Sequence, residues 1–286
     1  VKDYVVLLVV FRELAVESPR LVGPGLYGAP RRLVFVDLAG KIVLALLAGR
    51  VCRAGRADGR FGQGFERLRA AGIEVVVGPG ATASRELNIG FFSRMIRKTP
   101  WVRMKVAATL DGKTALLNGT SQWITSAEAR ADGHAWRARS CAVLTGIGTV
   151  LQDNPRLDVR LVETPRQPHL VIVDSELRTP LDASLFIAGR AVFIYAAAPN
   201  DAKRAALEAL GATVIFMPGK DANGQPTGKV DLAAMMQDLG RREINELHVE
   251  AGFKLNGSLV REGLVDEFVV YLAPKLLGQG AGMFHM

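Results

Sequence analysis

Four stretches of this 286-residue chain carry residue types that could do chemistry together. Lys105 sits in the run V-R-M-K-V-A-A-T (102–109), a lysine among valine, methionine and alanine, just before the turn Leu110-Asp111-Gly112. It could serve a site or simply reach solvent from an edge. Gly146-Ile147-Gly148-Thr149, followed by Asp153, places two glycines after an apolar run, where backbone can approach a phosphate. This falls short of the full G-x-G-x-x-G fingerprint, and an unliganded tight turn is the alternative. Glu250-Ala251-Gly252 runs on to Gly257-Ser258. An acid closing a strand, then a glycine-bearing loop opening a helix, suits a pyrophosphate at the helix N-terminus with Glu250 facing a polar ligand group. Asp174-Ser175 closes another strand, with an exposed capping pair as its alternative.

Other reactive types are less suggestive. Ser121-Gln122-Trp123 offers a loop tryptophan that could pack on a planar ring or plug a core. His134, His169, His248 and His285 show no metal-binding spacing and read as structural or surface residues. Cys52 and Cys141 are far apart and form no C-x-x-C, so neither a disulfide framework nor a zinc knuckle is expected.

Strand ends must position these groups. Short apolar runs over 102–109, 141–145, 170–173, 191–196, 213–217, 246–250 and 267–272 alternate with helical patterns over 126–139, 201–210, 230–239 and 256–263. Thr125 or Ser126 is the expected cap of the 126–139 helix. The alternation predicts an α/β fold, a mainly parallel sheet covered on both faces. In such sheets ligands bind at the carboxyl ends of the strands, where all four stretches lie. Residues 221–228 read as a surface turn, and 62–77 as a helix followed by a strand; before residue 56 only weak strands can be assigned.

Composition narrows the class. Hydrophobic residues make up 49% and charged residues 22%, which excludes disorder, collagen and coiled coil. No apolar run is long enough for a membrane helix and no secretory signal is legible, so a cytoplasmic protein without membrane association is expected. The net charge of +8 is uneven, since the first 105 residues carry +10 and the remainder −2. The basic third lacks interleaved stacking aromatics, and nucleic-acid binding is not expected.

From about Gly62 onward the chain resembles the bifunctional riboflavin-biosynthesis deaminase/reductase, above all its C-terminal reductase domain. The matching segments are W-V-R-M-K-V-A-A-T-L-D-G-K-T-A (101–115), G-T-S-Q-W-I-T-S (119–126), T-V-L-Q-D-N-P-R-L-D-V-R (149–160), V-D-S (173–175), V-E-A-G-F-K-L-N-G-S-L (249–259) and A-P-K-L-L-G (273–278). The resemblance implies a dihydrofolate-reductase-like fold over 99–286, preceded over 1–98 by a remnant of a cytidine-deaminase-like domain. It implies reduction of 5-amino-6-(5-phosphoribosylamino)uracil by NADPH to the ribitylamino product, in a homo-oligomer such as a dimer. Ser121, Arg137, Leu157, Arg160 and Glu250 would line the substrate, with Arg137 and Arg160 suited to its 5-phosphate. Ala107, Trp123, Thr149, Asp153, Ser175 and the loop of Gly252, Phe253, Lys254, Leu255, Asn256, Gly257 and Ser258 would hold NADPH. Lys105, Asp153 and Glu250 are the candidates for positioning and proton traffic at the sugar carbon.

The chain also departs from the pattern. The family's deaminase domain carries H-x-E and P-C-x-x-C around its zinc; no histidine occurs before His134 and there is no P-C-x-x-C here, so that activity is not expected. Residues 1–56 resemble nothing anticipated there and are read as a degenerate remnant or a shifted frame. The C-terminus is read as shortened, which would leave a sheet edge open. An inactive or fragmentary family member, and a related-fold reductase acting on a pterin, stay open as alternatives.

Overall fold

A computed structural model describes residues 69–72, 85–118 and 124–285, together with three earlier strands, β1 (Leu7–Arg12), β2 (Phe35–Val36) and β3 (Ile42–Val43). Ser121 and Trp123, Cys52, and the 62–87 stretch apart from 69–72 and 85–87 lie outside the described residues, as do the first 56 residues apart from those strands. The chain divides into two units, residues 14–98 and residues 1–13 with 99–286. The 14–98 unit pairs β2 with β3 antiparallel and contains helix α1 (Ile89–Arg97), which ends at Lys98 in the left-handed region.

The larger unit carries the sheet. Its further elements are β4 (Trp101–Thr109), β5 (Lys113–Leu116), α2 (Ala127–Arg139), β6 (Ala142–Gly146), α3 (Ile147–Asp153), β7 (His169–Val173) and β8 (Val192–Ala196). They continue with α4 (Asp201–Ala209), β9 (Ala212–Phe216), β10 (Pro218–Lys220), β11 (Pro226–Val230) and α5 (Leu232–Arg241). The last are β12 (Glu246–Val249), α6 (Phe253–Arg261), β13 (Glu267–Ala273) and β14 (Gly280–Gly282). The strand order is β1-β13-β4-β12-β6-β7-β8-β9, parallel throughout except where β1 runs antiparallel to β13. The mainly parallel α/β sheet expected from the sequence is therefore present.

The flank of β13, expected to be an open edge, is instead paired with β1 over six residues. The ladder satisfies backbone groups that would otherwise stand free. A pattern read from 99 onward could not show that residues near the N-terminus enter this sheet.

One face of the sheet packs against α5 and α6. There Val102, Met104, Val106 and Ala108 from β4 meet Met235, Met236, Leu239 and Leu259. The opposite face is split. Beneath β6 to β9 it is apolar, with Val143, Leu170, Ile172, Ile194 and Val214 against Val150 and Leu207. Beneath α2, the alternate residues of β4 that face away from the main core begin with Arg103 and Lys105, and the register sets His248 beside Arg103 and Glu267 on its other side. Strand alternation thus gathers charge on one half of one face.

Element limits differ where side chains cap helices. Ser126 caps α2 by accepting from Ala129 N–H. Asp231 caps α5 by accepting from Ala234 N–H, so that helix begins at Leu232, and Val230 belongs to the β10–β11 hairpin. The hairpin also takes Pro226–Gly228 from the stretch read as a turn. Helix α6 starts at Phe253, three residues before the expected 256, because Gly252 already has the extended geometry of a cap. Strands β5 and β14, which pair antiparallel, were not legible, being short and rich in glycine, lysine and alanine.

Candidate active site

The chain order creates the site. From β4 it passes to β6, β7, β8 and β9 outward, and only later does β12 return to fill the gap between β4 and β6. Glu250, one residue beyond β12, therefore emerges where the strand order reverses, the position at which open α/β sheets bind ligands. Its backbone N–H donates to Leu144 O at 2.8 Å, which fixes where the side chain departs.

Two cations and a histidine surround the Glu250 carboxylate. Arg137, on the third turn of α2, grips it with two nitrogens: Nε donates to Oε1 in a very short contact, and Nη2 to Oε2 at 2.9 Å. Lys105 Nζ lies 3.9 Å from Oε2 and 5.8 Å from the Tyr271 ring centre. His248 Nε2 lies 3.5 Å from Oε1. Burial alone would push the Glu250 carboxyl up, but Arg137, His248 and Lys105 outweigh it and hold the group well below the usual carboxylate range. Glu250 is thus a fixed anion. Lys105 remains partly open, its side chain 25% exposed.

Two glycine-bearing turns stand side by side at this edge. The position a Cβ would take on Gly252 is 3.7 Å from Thr149 Oγ1, so the cap of α6 adjoins the first turn of α3. Gly252 supplies no side-chain cap to the first N–H groups of α6, and a Cβ on Gly148 would meet open space. Gly146 has a different task, since Leu255 Cδ2 lies 3.1 Å from where its Cβ would be. The two turns form an open cradle lined by backbone N–H groups.

The expected loop Gly252–Ser258 is mostly helix. Lys254 is exposed and Phe253 and Leu255 are half-buried, whereas Asn256 and Gly257 are buried. Asn256 Nδ2 donates to Met283 O at 3.4 Å, and a Cβ on Gly257 would lie 1.9 Å from His285 O. These two residues hold the segment 283–285 against α6, so ligand contact from this stretch is limited to its first turn and to Ser258, which is half-buried and donates to Lys254 O.

Residues 100–285 match the family model for the RibD C-terminal domain. The chain belongs to that family. The riboflavin biosynthesis protein RibD of Aquifex aeolicus is 39% identical over 219 residues, covering 77% of this chain and 59% of the relative. A solved RibD structure from Acinetobacter baumannii superposes with a TM-score of 0.65 at 37% identity, covering 79% of this chain and 60% of that one. A third similar protein, a diaminohydroxyphosphoribosylaminopyrimidine deaminase/5-amino-6-(5-phosphoribosylamino)uracil reductase from Thermotoga maritima, has a TM-score of 0.63 at 29% identity, covering 77% and 58%. The chain spans about three fifths of the length of these relatives. The resemblance read from the sequence is thereby borne out, and so is the dihydrofolate-reductase-like fold of a RibD reductase domain. No helix among the described residues is long and apolar enough to cross a membrane.

Within this RibD-type domain the other expected site residues are spread along the same edge. Ala107 is half-buried on β4 and packs with Ala129, Trp136 and Tyr271. Asp153 ends α3 in an exposed position, its carboxyl pushed up by local desolvation, and no ion pair joins it to Lys105 or Arg137. Ser175 is half-buried and its carbonyl accepts from Ala197 and Ala198 N–H. Asp174 is not an exposed cap: it is buried, and Oδ2 takes Thr179 N–H and Oγ1–H at 2.7 Å each. Arg160 keeps an exposed guanidinium, 2.6 Å from Asp158 Oδ1, but Arg137 is committed to Glu250. Of these two arginines Arg160 is the more open to a phosphate.

Sequence reading missed the residues that hold this edge together. Asp111 accepts from Leu277 N–H at 3.1 Å and Gly278 N–H at 2.7 Å, joining the 101–115 and 273–278 segments, and these bonds with one from Thr109 lower its carboxyl to about 2. His134 and His248 are both buried beside the ion pairs. Their only sequence signal was spacing, one turn before Arg137 and two residues before Glu250.

Proposed function

We propose that this chain reduces 5-amino-6-(5-phosphoribosylamino)uracil to its ribitylamino product with NADPH. The observation that carries the reading is a fixed Glu250 carboxylate, gripped by Arg137 and faced by Lys105, beside the Gly148/Gly252 cradle at the switch point of the sheet. The cradle fits a dinucleotide phosphate, because Gly252 leaves the space beside Thr149 Oγ1 without a side chain and the first N–H groups of α6 lack a side-chain acceptor. Thr149, Gly252 and Phe253 would hold the phosphates, and Ser175 and Ala107 would border the rest of the cofactor. Bound there, NADPH supplies the hydride.

The chain's own residues would do the remainder. Breaking the bond from the sugar carbon to the ring oxygen develops positive charge at that carbon, which the incoming hydride neutralises, and a carboxylate that stays ionised stabilises the charge without taking the proton. Glu250 suits that part because its proton affinity is low. The departing oxygen needs a proton, and Lys105 Nζ is the neighbouring group with one to give. Arg160 would take the 5-phosphate. The whole protein is further proposed to work in the cytoplasm as a homo-oligomer; deaminase activity is not proposed for these 286 residues, which hold no P-C-x-x-C and no histidine before His134.

The test is NADPH oxidation by the purified chain with this substrate, followed by absorbance. Substrate-dependent turnover that falls by about 10²-fold in Lys105→Met supports the reading. Folded protein that neither oxidises NADPH nor binds it overturns the reading in favour of an inactive family member. Turnover with a dihydropterin in place of the phosphoribosyl substrate would make the substrate assignment wrong.

A further inference from the structure

The segment Arg156–Arg160 supplies Leu157 and Arg160, two of the expected substrate residues, yet belongs to no helix or strand. Its backbone polar groups are instead taken up by side chains from elsewhere. Arg190 Nη2 donates to Arg156 O and Nη1 to Leu157 O, both at 2.7 Å. Arg137 Nη1 donates to Asp158 O at 2.9 Å. The Gln167 amide spans Val159 completely, with Oε1 accepting from its N–H at 2.7 Å and Nε2 donating to its carbonyl at 2.9 Å. Arg160 N–H donates to His134 Nδ1 at 3.1 Å.

Every residue of the segment thus takes at least one external side-chain bond, and Val159 takes two. Leu157 shows what the bonds maintain. It is buried with φ at 50°, in the left-handed region that leucine occupies only when its surroundings hold it there.

We propose that His134 and Gln167 are positioning residues of the reductase: they splint the segment so that Leu157 and Arg160 stand in register before the phosphoribosylaminopyrimidine arrives. The proposal rests on the function proposed above. Neither residue is assigned to ligand, and each acts through backbone atoms of the segment. A splinted segment loses little freedom on binding, whereas a loose one must be ordered by the substrate itself. The effect therefore falls on substrate affinity and leaves the hydride step alone. His134 differs from Arg137 and Arg190 in this respect, since Arg137 also holds Glu250 and Arg190 serves three carbonyls, including Leu185 O.

The experiment compares steady-state constants of the full chain with those of His134→Leu and Gln167→Leu. The expected result is a KM for the pyrimidine raised about tenfold, with kcat within about twofold and the KM for NADPH unchanged. His134→Asn, whose Oδ1 can take the place of Nδ1 as acceptor, should restore most of the loss. If His134→Leu does not fold, Gln167→Glu reads the same split, because it keeps the acceptor for Val159 N–H and loses the donor to its carbonyl. Unchanged pyrimidine KM in folded variants overturns the proposal while leaving the reductase reading intact, as does a parallel loss in kcat and both KM values. A wild-type chain without turnover overturns the reductase reading and this proposal together.

Discussion

Strand β12 carries an ion cluster at each end, the two of similar composition and opposite character. At the amino ends, Arg103 is fully buried on β4 between Glu246 at 3.0 Å and Glu267 at 3.0 Å, with Arg139 adding a second cation at 2.9 Å from Glu246. Trp136 from α2 covers it, the Arg103 guanidinium lying 4.4 Å from a ring centre, and Trp101 Nε1 donates to Glu267 at 2.9 Å. At the carboxyl ends, two residues further along β4, Lys105 is partly open and shares Glu250 with Arg137. The first cluster is closed at its centre, where Arg103 and Glu267 are fully buried, and the second faces the edge where chain reversals and helix N-termini leave room for a ligand.

The difference teaches that charge inside an α/β domain does not by itself mark a site. In the amino-end cluster the fully buried Arg103 pairs with two carboxylates beneath the Trp136 ring. The carboxyl-end cluster has the same chemistry, but lies where parallel strands stop and helices begin.

This comparison can be broken most sharply at Glu250. Glu250→Gln keeps the shape and removes the anion, and kcat/KM is expected to fall by about 10²- to 10³-fold in NADPH-oxidation kinetics. A smaller drop would mean that the carboxyl-end cluster is structural like its counterpart. Next, Arg103→Met leaves Glu246 and Glu267 short of their central cation, and chemical denaturation should show a loss of about 3–5 kcal/mol. Activity per folded molecule should fall far less than in Glu250→Gln, since Arg103 pairs with Glu246 and Glu267 and not with Glu250. Replacing Arg103 and Glu267 together by methionine should recover much of the loss, because a pair exchanged for apolar groups of similar volume leaves fewer uncompensated charges. Failure to recover would show that Glu246, with Arg139, depends on Arg103 more than Glu267 does.

The smallest expected effect is on pH dependence. Burial first, then Arg137 and Arg160, hold His134 at about 4 against an ordinary 6.5. Between those values the unfolded chain binds a proton that the folded chain refuses, so His134 contributes stability that is full above 6.5 and is lost as pH falls towards 4. Urea midpoints measured across this window should decline for the wild type and decline less for His134→Asn.

Much of the architecture was legible because periodicity is local. The β4, β7, β8, β9 and β13 limits fall within one or two residues of the sequence expectation, since apolar runs bounded by polar turns leave little choice. The α6 start was not, because a glycine cap in extended geometry has no side-chain signature. Strand β1 was not, because its pairing with β13 joins residues about 260 positions apart that no local pattern connects.

The sequence by itself determined which residue types stand at strand ends, and through spaced motifs it determined the RibD reductase family. Only the tertiary structure decided what those residues do to one another. It withdrew Arg137 from the phosphate and gave it to Glu250, buried Asn256 and Gly257 under the 283–285 segment, and recruited His134, Gln167 and Arg190 to hold the strip around Leu157. The physical reason is that residue identity and period set a side chain's chemistry and the face it occupies. Its hydrogen-bond partner, its exposure and the proton affinity that follows are set by elements far away in the chain.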